Sequence, residues 1–351
     1  MRKYRIALLL QLLLAALLPS LPARAQSPIA DFYKSKSIDL YIGLSVGGGY
    51  DVYARLVARH MSEHIPGKPR ILPRNMTGAG SRLAANYMYN VAPKDGTALA
   101  TVEQSIALQQ ALGDATVQFD ANRFGYVGNP IADNNILATW GSSGVKSIAD
   151  ARKAEVAVGA TGINTSAQYA QVLNVVAGTR FKIIIGYPGG AEINLAMEKG
   201  EVAGRGSNSW SSWKATRPDW VRDGKLNPLV QIGLAKASDL PDVPLLMDVA
   251  TDPDDRAALK LLSSPPTIGR PLFTTPGVPT ERLAALRDAF DATMRDPAFL
   301  ADAKAQRLDI DPVSGADLQT IVADILATPK PIADRLSKLI DLSANPDVQR
   351  K

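Results

Sequence analysis

Hydrophobic and polar positions follow two periods along this chain, and short strands are repeatedly followed by turns and helices. Ile38, Leu40 and Ile42 alternate with polar or small residues, which is the period of a half-buried strand. A helical pattern over 51–64 follows, and Pro66-Gly67 ends it. The same order recurs after strands predicted near 70–73, 98–102, 155–159 and 181–185.

Strands that alternate with helices predict an α/β protein with mostly parallel, doubly wound sheets. The units fall into two groups, before and after about residue 132, which favours two lobes facing each other across a cleft. We expect lobe 1 to comprise 26–132 and 233–351, and lobe 2 to comprise 133–232, with two crossings that act as a hinge. Ligands of such sheets bind beyond the carboxyl ends of the strands, where these turns lie.

The turns are rich in Gly, Ser, Thr and Asn, which suits close approach of backbone N–H groups to an anion. The first turn contains Gly47, Gly48 and Gly49, and Asp51 follows where a helix cap or a first-turn acid belongs. Because a helix N-terminus is the positive end of the helix dipole, such a turn favours negative charge. A single turn carries little weight, but its repetition predicts a binding site for a small anion.

The first 25 residues are typical of an export signal. A basic start precedes an apolar run over 6–18, and Ala23-Arg24-Ala25 is a small-residue cleavage site. The run is shorter than a membrane span of about 20 residues, so we expect cleavage after Ala25 and a periplasmic location. Without the four basic residues of the signal, 35 Lys and Arg remain against 34 Asp and Glu, which leaves a net charge of +1 and no basic surface for nucleic acid. The absence of Cys fits an exported protein without disulfides.

Seven stretches of the chain form an ordered set of motifs: Val46-Gly-Gly-Gly-Tyr-Asp-Val-Tyr-Ala-Arg55, Asn75-Met-Thr-Gly-Ala-Gly80, Ala92-Pro-Lys-Asp-Gly-Thr97, Gly159-Ala-Thr-Gly-Ile-Asn-Thr-Ser166, Tyr187-Pro-Gly-Gly-Ala-Glu-Ile, Pro276-Gly-Val-Pro-Thr-Glu-Arg282 and Asp296-Pro-Ala-Phe299. Taken in this order, they resemble the motifs of the Bug family, the extracytoplasmic solute receptors of tripartite tricarboxylate transporters. They extend over nearly the whole chain after the signal. The sequence departs from the family pattern at Ser45 and Val46, which replace two prolines, and at Pro188, where Lys is common.

The resemblance implies a two-lobed type II periplasmic binding protein that closes on a small organic acid and delivers it to integral membrane subunits of a transporter. No catalysis, metal, cofactor or nucleic acid is expected, and we expect a monomer. The residues implied at the ligand are Gly47, Gly48, Gly49, Asp51, Thr77, Gly78, Ala79, Gly80, Ser81, Gln104, Thr161, Thr165, Ser166, Gly189 and Gly190.

We expect Asp51 and Arg205 to have different roles at the ligand site. Asp51 is negative, so we expect it to hold water or cap its helix without touching the carboxylate. Arg205 lies at the end of a predicted strand and is a candidate partner for a second carboxylate. The alternative for Arg205 is a surface or interlobe salt bridge.

Two motifs leave enzymatic alternatives open. Gly43-Leu-Ser45-Val-Gly47 matches G-x-S-x-G, but the only histidines, His60 and His64, lie on the next helix and cannot bend back to Ser45. His60-Met-Ser-Glu-His64 matches H-x-x-E-H, although a zinc ion would need a third ligand that nothing else in the sequence indicates. A secreted hydrolase and a periplasmic sensor of a carboxylate are therefore the alternatives to a transport receptor.

Overall fold

The computed structural model describes residues 28–350 except 344, 346 and 347. The expected export signal over 1–25 and the cleavage site after Ala25 lie outside the described residues. Among the helices of the described part, none combines the length and the apolar character that a bilayer crossing needs.

The strands are short, and most of them carry buried residues on both faces. They are β1 (Ser37–Ile42), β2 (Arg70–Asn75), β3 (Ala98–Thr101), β4 (Gly125–Asn129), β5 (Asn135–Trp140), β6 (Val156–Ala160), β7 (Phe181–Ile185), β8 (Gly204–Ser209), β9 (Leu226–Ile232), β10 (Leu272–Thr274), β11 (Val313–Ser314) and β12 (Val348–Arg350).

The helices follow most strands, as the sequence pattern predicts. They are α1 (Pro28–Tyr33), α2 (Gly49–His64), α3 (Arg82–Asn90), α4 (Ile106–Ala111), α5 (Ile148–Ala151), α6 (Thr165–Ala177), α7 (Gly190–Glu198), α8 (Trp210–Thr216), α9 (Pro218–Arg222), α10 (Pro253–Leu262), α11 (Thr280–Arg295), α12 (Pro297–Ala305), α13 (Gly315–Leu326) and α14 (Lys330–Leu339).

The strands form two sheets of six strands each, one in each lobe. The first sheet has the order β11-β4-β10-β3-β1-β2, in which β2, β1 and β3 are parallel and β10 and β11 run antiparallel to their neighbours. The second has the order β12-β7-β6-β8-β5-β9, in which only β5 opposes its neighbours. These sheets confirm the predicted α/β class with two mostly parallel sheets.

The chain passes between the two sheets three times, not twice. It crosses at 130–134, at 263–271 and again between α13 and α14, because α13 packs on β4 whereas α14 packs on α10 and α6. Strand β12 then adds to the open edge of β7 in the second sheet. The sequence predicted all of 233–351 in lobe 1, whereas the contacts place 233–262, α14 and β12 with the second sheet. Three residues are too short a strand for its alternation to be read from the sequence.

Helix α2 positions the first glycine turn against the first sheet. Tyr53, Val57 and Met61 lie one turn apart on one face and are buried, together with Ala54 and Leu56. This face packs against β1 and against Phe290 and Phe299 of the C-terminal helices. Burial of each large apolar side chain contributes about 1.5–3 kcal/mol, so the position of the N-terminus of α2 is well determined by the core.

Candidate functional site

The carboxyl ends of the parallel strands of both sheets face each other, and the predicted turns meet there. The turns after β1 and β2 belong to the first lobe, and the turns after β6 and β7 belong to the second. The lobes are in direct contact at these turns. A methyl group on Gly189 would overlap the hydroxyl of Ser45, and one on Gly49 would lie 2.9 Å from Cβ of Ser212. Glycine is therefore required wherever the two backbones approach this closely.

A buried carboxylate fixes the first glycine turn. Asp51 is 2% exposed, and its Oδ2 accepts a hydrogen bond of 2.9 Å from the N–H of Gly47. Its Oδ1 accepts from Nε of Arg55 at 2.9 Å and from Nδ2 of Asn75 at 3.0 Å. Asn75 also donates to the carbonyl of Leu44 at 2.8 Å. Asp51 thus acts on the turn itself, and its position relative to a ligand stays a prediction.

The second turn has an unusual backbone. Gly78, Ala79, Gly80 and Ser81 all have positive φ angles, including two residues that are not glycine. The Ser81 side chain is buried and donates to the carbonyl of Gly43 at 3.2 Å, so it ties the first two turns together. Such a backbone is costly, and it points the amide groups of this segment in directions that a regular turn would not allow.

The turn after β6 is organised by its own helix cap. Asn164 caps α6, since its Oδ1 accepts from the N–H of Ser166 at 3.0 Å. The hydroxyl of Ser166 is used within the same turn, where it accepts from the N–H of Thr161 at 3.0 Å. Thr165 instead reaches across the lobes and donates to Oε1 of Glu103 at 2.9 Å. Burial raises the pKa of Glu103, although hydrogen bonds from Ser105 and Thr165 oppose the shift.

Four of the expected ligand residues in the second turn, with Thr161 from the other lobe, line a cavity of about 530 Å³ between the lobes. This size lies within the usual range of small-molecule sites. The sequence-predicted lining residues are Thr77, Gly78, Ala79, Gly80 and Thr161, and the residues that the sequence did not indicate are Leu44, Gly162, Ile163, Ile185, Gly186, Tyr187, Pro188 and Arg350.

Arg350 of β12 contributes a cation to this cavity. It could not be expected there, because the sequence gives no sign that β12 joins the second sheet. The other expected residues, Gly47, Gly48, Gly49, Gly189 and Gly190, lie in the turns where the two lobes approach each other. Gln104 is buried, and its N–H donates to the hydroxyl of Tyr50 at 3.1 Å. Ligand binding by any of these residues remains a prediction.

Arg205 lies beneath the turn after β7 and does not line the cavity. It is 9% exposed, and its Nη1 donates to the carbonyl of Gly190 at 3.3 Å and to Oδ1 of Asn194 at 3.1 Å. Burial lowers its pKa to about 9, nearby Arg217 acts in the same direction, and Glu192 acts in the opposite one. In this arrangement Arg205 supports the backbone of the turn and takes part in none of the salt bridges of the described residues. Its contact with a second carboxylate stays a prediction.

A second buried arginine, Arg270, was missed by the sequence analysis. It precedes β10 at the cleft end of the first sheet, and its Nη2 donates to three serine hydroxyls of the second lobe, Ser209, Ser211 and Ser212. Its guanidinium lies 4.2 Å from the ring centroid of Tyr53. The sequence could not place it, because β10 runs antiparallel to β3 and therefore begins, and does not end, at the cleft.

The residues of the two enzymatic motifs do not come together. Ser45 donates to Oε2 of Glu192 across the lobes at 2.7 Å. His60 contacts Oδ2 of Asp302 at 2.9 Å, and His64 contacts Oδ2 of Asp296 at 2.8 Å, both at the far end of α2. Over the described ranges, no three His, Asp or Glu side chains gather closely enough to hold a metal ion.

Two α/β lobes on either side of a cavity at the carboxyl ends of their strands are the fold of type II periplasmic binding proteins. A family model described as "tripartite tricarboxylate transporter family receptor" matches residues 53–337. The chain therefore belongs to this family of solute receptors, as its resemblance to the Bug proteins indicated.

Individual relatives agree with this assignment. A protein of Cupriavidus necator described as "UPF0065 protein in gbd 5'region" is 27% identical over 293 residues, which cover 80% of this chain and 81% of the relative. The structure of the periplasmic binding protein BugD superposes with a TM-score of 0.69 at 16% identity, covering 90% of this chain and 99% of BugD. MatC from Rhodopseudomonas palustris with bound malate superposes with a TM-score of 0.66 at 16% identity, covering 88% of this chain and 99% of MatC. The two structures support the fold.

Proposed function

We propose that this protein is a periplasmic receptor that captures a small organic acid between its lobes and delivers it to the membrane subunits of a tripartite tricarboxylate-type transporter. The observation that carries the proposal is the interlobe cavity of about 530 Å³, which the second glycine turn of lobe 1 and Thr161 of lobe 2 both line. The malate bound to MatC, a protein of the same fold, is an acid of suitable size.

The chemistry of the cleft favours an anion over a neutral solute. Helices α2 and α6 both begin at the cleft, so the positive ends of their dipoles face it. Each helix leaves its first backbone N–H groups without intrahelical partners, and such groups bind carboxylates well. Arg350 adds a full positive charge at the cavity. Binding without reaction is expected, because the described residues that line this cavity include no His, Asp or Glu that could act as a base or hold a metal ion.

The test is thermal unfolding of the mature protein with a panel of mono- and dicarboxylic acids. A ligand that binds only the folded protein raises the free energy of unfolding by about 2.7 kcal/mol at a hundredfold excess over its Kd. We expect a saturable rise in the melting temperature with at least one acid, and no turnover of that acid in the same sample. A panel without any shift, or hydrolysis of an ester that depends on Ser45, would overturn the proposal.

A bulky substitution in the cavity provides the matched variant. Thr77 is exposed and lines the cavity, so Thr77→Trp is expected to fill the ligand space and abolish the shift while the protein still folds. Val91 is 68% exposed and lies outside the residues that line this cavity, so Val91→Trp is the control for adding an indole to the surface. Delivery to the transporter is tested separately, by uptake of the labelled acid in cells that lack the receptor and in cells that carry each variant.

A further inference from the structure

We propose that Arg270 is the residue that gives the cleft its preference for a carboxylate, by binding the acid through the Nε–Nη2 edge of its guanidinium. The inference rests on the proposed function and extends it, since it names the group that distinguishes an acid from a neutral solute of the same shape. The proposal starts from a charge that the protein itself leaves without an ion-pair partner.

Arg270 is buried without a carboxylate at ion-pair distance. Its side chain belongs to a residue that is only 5% exposed, and no Asp or Glu of the described chain lies within 4.0 Å of its nitrogens. Its Nε is fully buried and donates no hydrogen bond. A buried guanidinium is normally paired, because removing its hydration is costly unless hydrogen bonds and an opposite charge replace the water.

The Nε of Arg270, which has no hydrogen-bond partner, lies on the edge of the guanidinium that carboxylates prefer. Nε and Nη2 point in parallel from one side of the guanidinium plane, and a carboxylate accepts from both at once. In this structure Nη2 is shared among the hydroxyls of Ser209, Ser211 and Ser212, while Nε has no partner. Three neutral oxygens around one nitrogen satisfy this edge less well than one carboxylate with two charged oxygens would.

The serines come from the other lobe, so the contacts depend on the positions of the lobes. Arg270 lies two residues before the first-sheet strand β10, whereas the serines lie at the end of β8 and the start of α8 in the second lobe. When the lobes separate, Arg270 loses all three hydroxyls and its edge faces the cleft. Arg270 does not line the cavity of about 530 Å³ in the arrangement seen here, so an acid reaches its edge only after the lobes have separated. The acid then takes the place of the serines, which close over it.

A helix N-terminus lies beside the same edge. Gly49 is the first residue of α2, a helix of 16 residues, and a Cβ placed on it would lie 3.4 Å from Nη2 of Arg270. The first turn of α2 and the guanidinium therefore lie close together. Both favour negative charge, and they come from independent parts of the chain.

The nearest acid and the aromatic neighbours define the alternative, in which Arg270 only packs between the lobes. Asp133 is buried and accepts from the N–H of Ser211. Burial raises the pKa of Asp133, and the charge of Arg270 and the hydrogen bonds from Ser211 oppose the shift. The rings of Tyr53 and Tyr50 lie 4.2 and 5.9 Å from the guanidinium, which a packing role would also use. A packing residue would affect the binding of charged and neutral ligands alike, whereas a carboxylate-binding residue would not.

The experiment compares the acid that gives the largest thermal shift with its neutral primary amide, by calorimetric titration. Wild-type protein should bind the acid about 100-fold more tightly than the amide, since one ligand has the charge and both oxygens and the other does not. Arg270→Gln should reduce this ratio to about one by weakening the acid alone. Arg270→Lys keeps the charge without the planar fork and should give a ratio between the two.

Arg205→Gln is the matched control, because Arg205 is also a buried arginine without an ion pair in the described chain but lies behind its turn. It should change the affinities for acid and amide by the same factor and leave the ratio unchanged. An Arg270→Gln protein that keeps the wild-type ratio would overturn the inference, and so would wild-type protein that binds acid and amide equally. If Arg270→Gln does not fold, the ratio of the affinities for acid and amide in Arg270→Lys and in the wild-type protein still tests the inference. Wild-type protein that binds no acid at all would contradict the proposed function instead.

Discussion

At the scale of single residues, the cleft depends on glycines at the points where one lobe meets the other. Gly49, Gly80 and Gly189 each lie so close to a side chain of the opposite lobe that a methyl group would overlap it. These contacts explain why glycines recur in the turns of both lobes, in addition to their value for exposing backbone N–H groups. The glycines therefore set how closely the lobes can approach, and with it how well a ligand can be enclosed.

Gly49→Ala should weaken ligand binding without unfolding the protein. The added methyl group would overlap the hydroxyl of Ser212 and lie 2.9 Å from its Cβ, so the lobes would have to remain further apart. Alanine suits a helix at least as well as glycine, so the first lobe should keep its stability. We expect the Kd for the acid to rise about tenfold, equivalent to about 1.4 kcal/mol, as measured by calorimetry.

Gly48→Ala provides the comparison, because a methyl group there would lie no closer than 3.8 Å to any neighbour. Its loss of affinity should be clearly smaller than that of Gly49→Ala. Equal losses for the two variants would show that the flexibility of the turn matters and that the approach of the lobes does not.

At the scale of elements, helix α2 connects the cleft to the opposite side of the first lobe. Its first turn holds the glycine turn through Asp51, and its last two turns contact the C-terminal helices through His60 and His64. The partner Asp302 lies on α12, and Asp296 caps that helix. His60 and His64, which match a zinc motif in the sequence, thus hold the C-terminal end of α2 against α12.

Asp302→Asn should reduce the loss of stability in acid. Hydrogen bonds from His60, Gln306 and Arg59 hold the pKa of Asp302 well below its usual range. A depressed folded-state pKa stabilises the protein above the unfolded value of about 3.9, and this stability is lost as the pH falls from there toward the folded-state pKa. The difference between the urea midpoints at pH 7 and pH 3 should therefore be smaller in the variant than in wild type.

Asp334→Asn is the matched control, since Asp334 lies in an exposed pair with Lys330 on the surface of α14. It should leave the difference between the two midpoints at its wild-type value. A difference that is the same in all three proteins would mean that the contacts between α2 and α12 contribute nothing to the acid sensitivity.

Elements could be predicted from the sequence where their hydrophobic pattern lies within consecutive residues. The strand, turn and helix units were predictable, because alternating and helical periods are written into consecutive residues such as Ile38, Leu40 and Ile42. The sequence predicted that α2 begins at Asp51, whereas it begins at Gly49. The two-residue error arises because glycine has a low helix propensity and so does not indicate a helix start. Strand β12 and the position of Arg270 could not be predicted, because both depend on which strand edge a distant segment joins.

At the scale of the whole molecule, polar contacts across the cleft join the two lobes. Ser45 with Glu192, Thr165 with Glu103, and Arg270 with its three serines all join one lobe to the other. Three chain crossings also connect the lobes. This arrangement suits hinge motion in which the polar contacts break on opening and reform, with the ligand among them, on closing.

A crystal structure with the acid that gives the largest thermal shift is the sharpest test of whether a small organic acid binds between these lobes. We expect the unaltered acid to lie between the turns after β1 and β2 and the turns after β6 and β7, with one carboxylate beside Arg270. An acid found outside the cleft would rule out this binding site, and a hydrolysed or otherwise modified molecule within it would rule out binding without reaction.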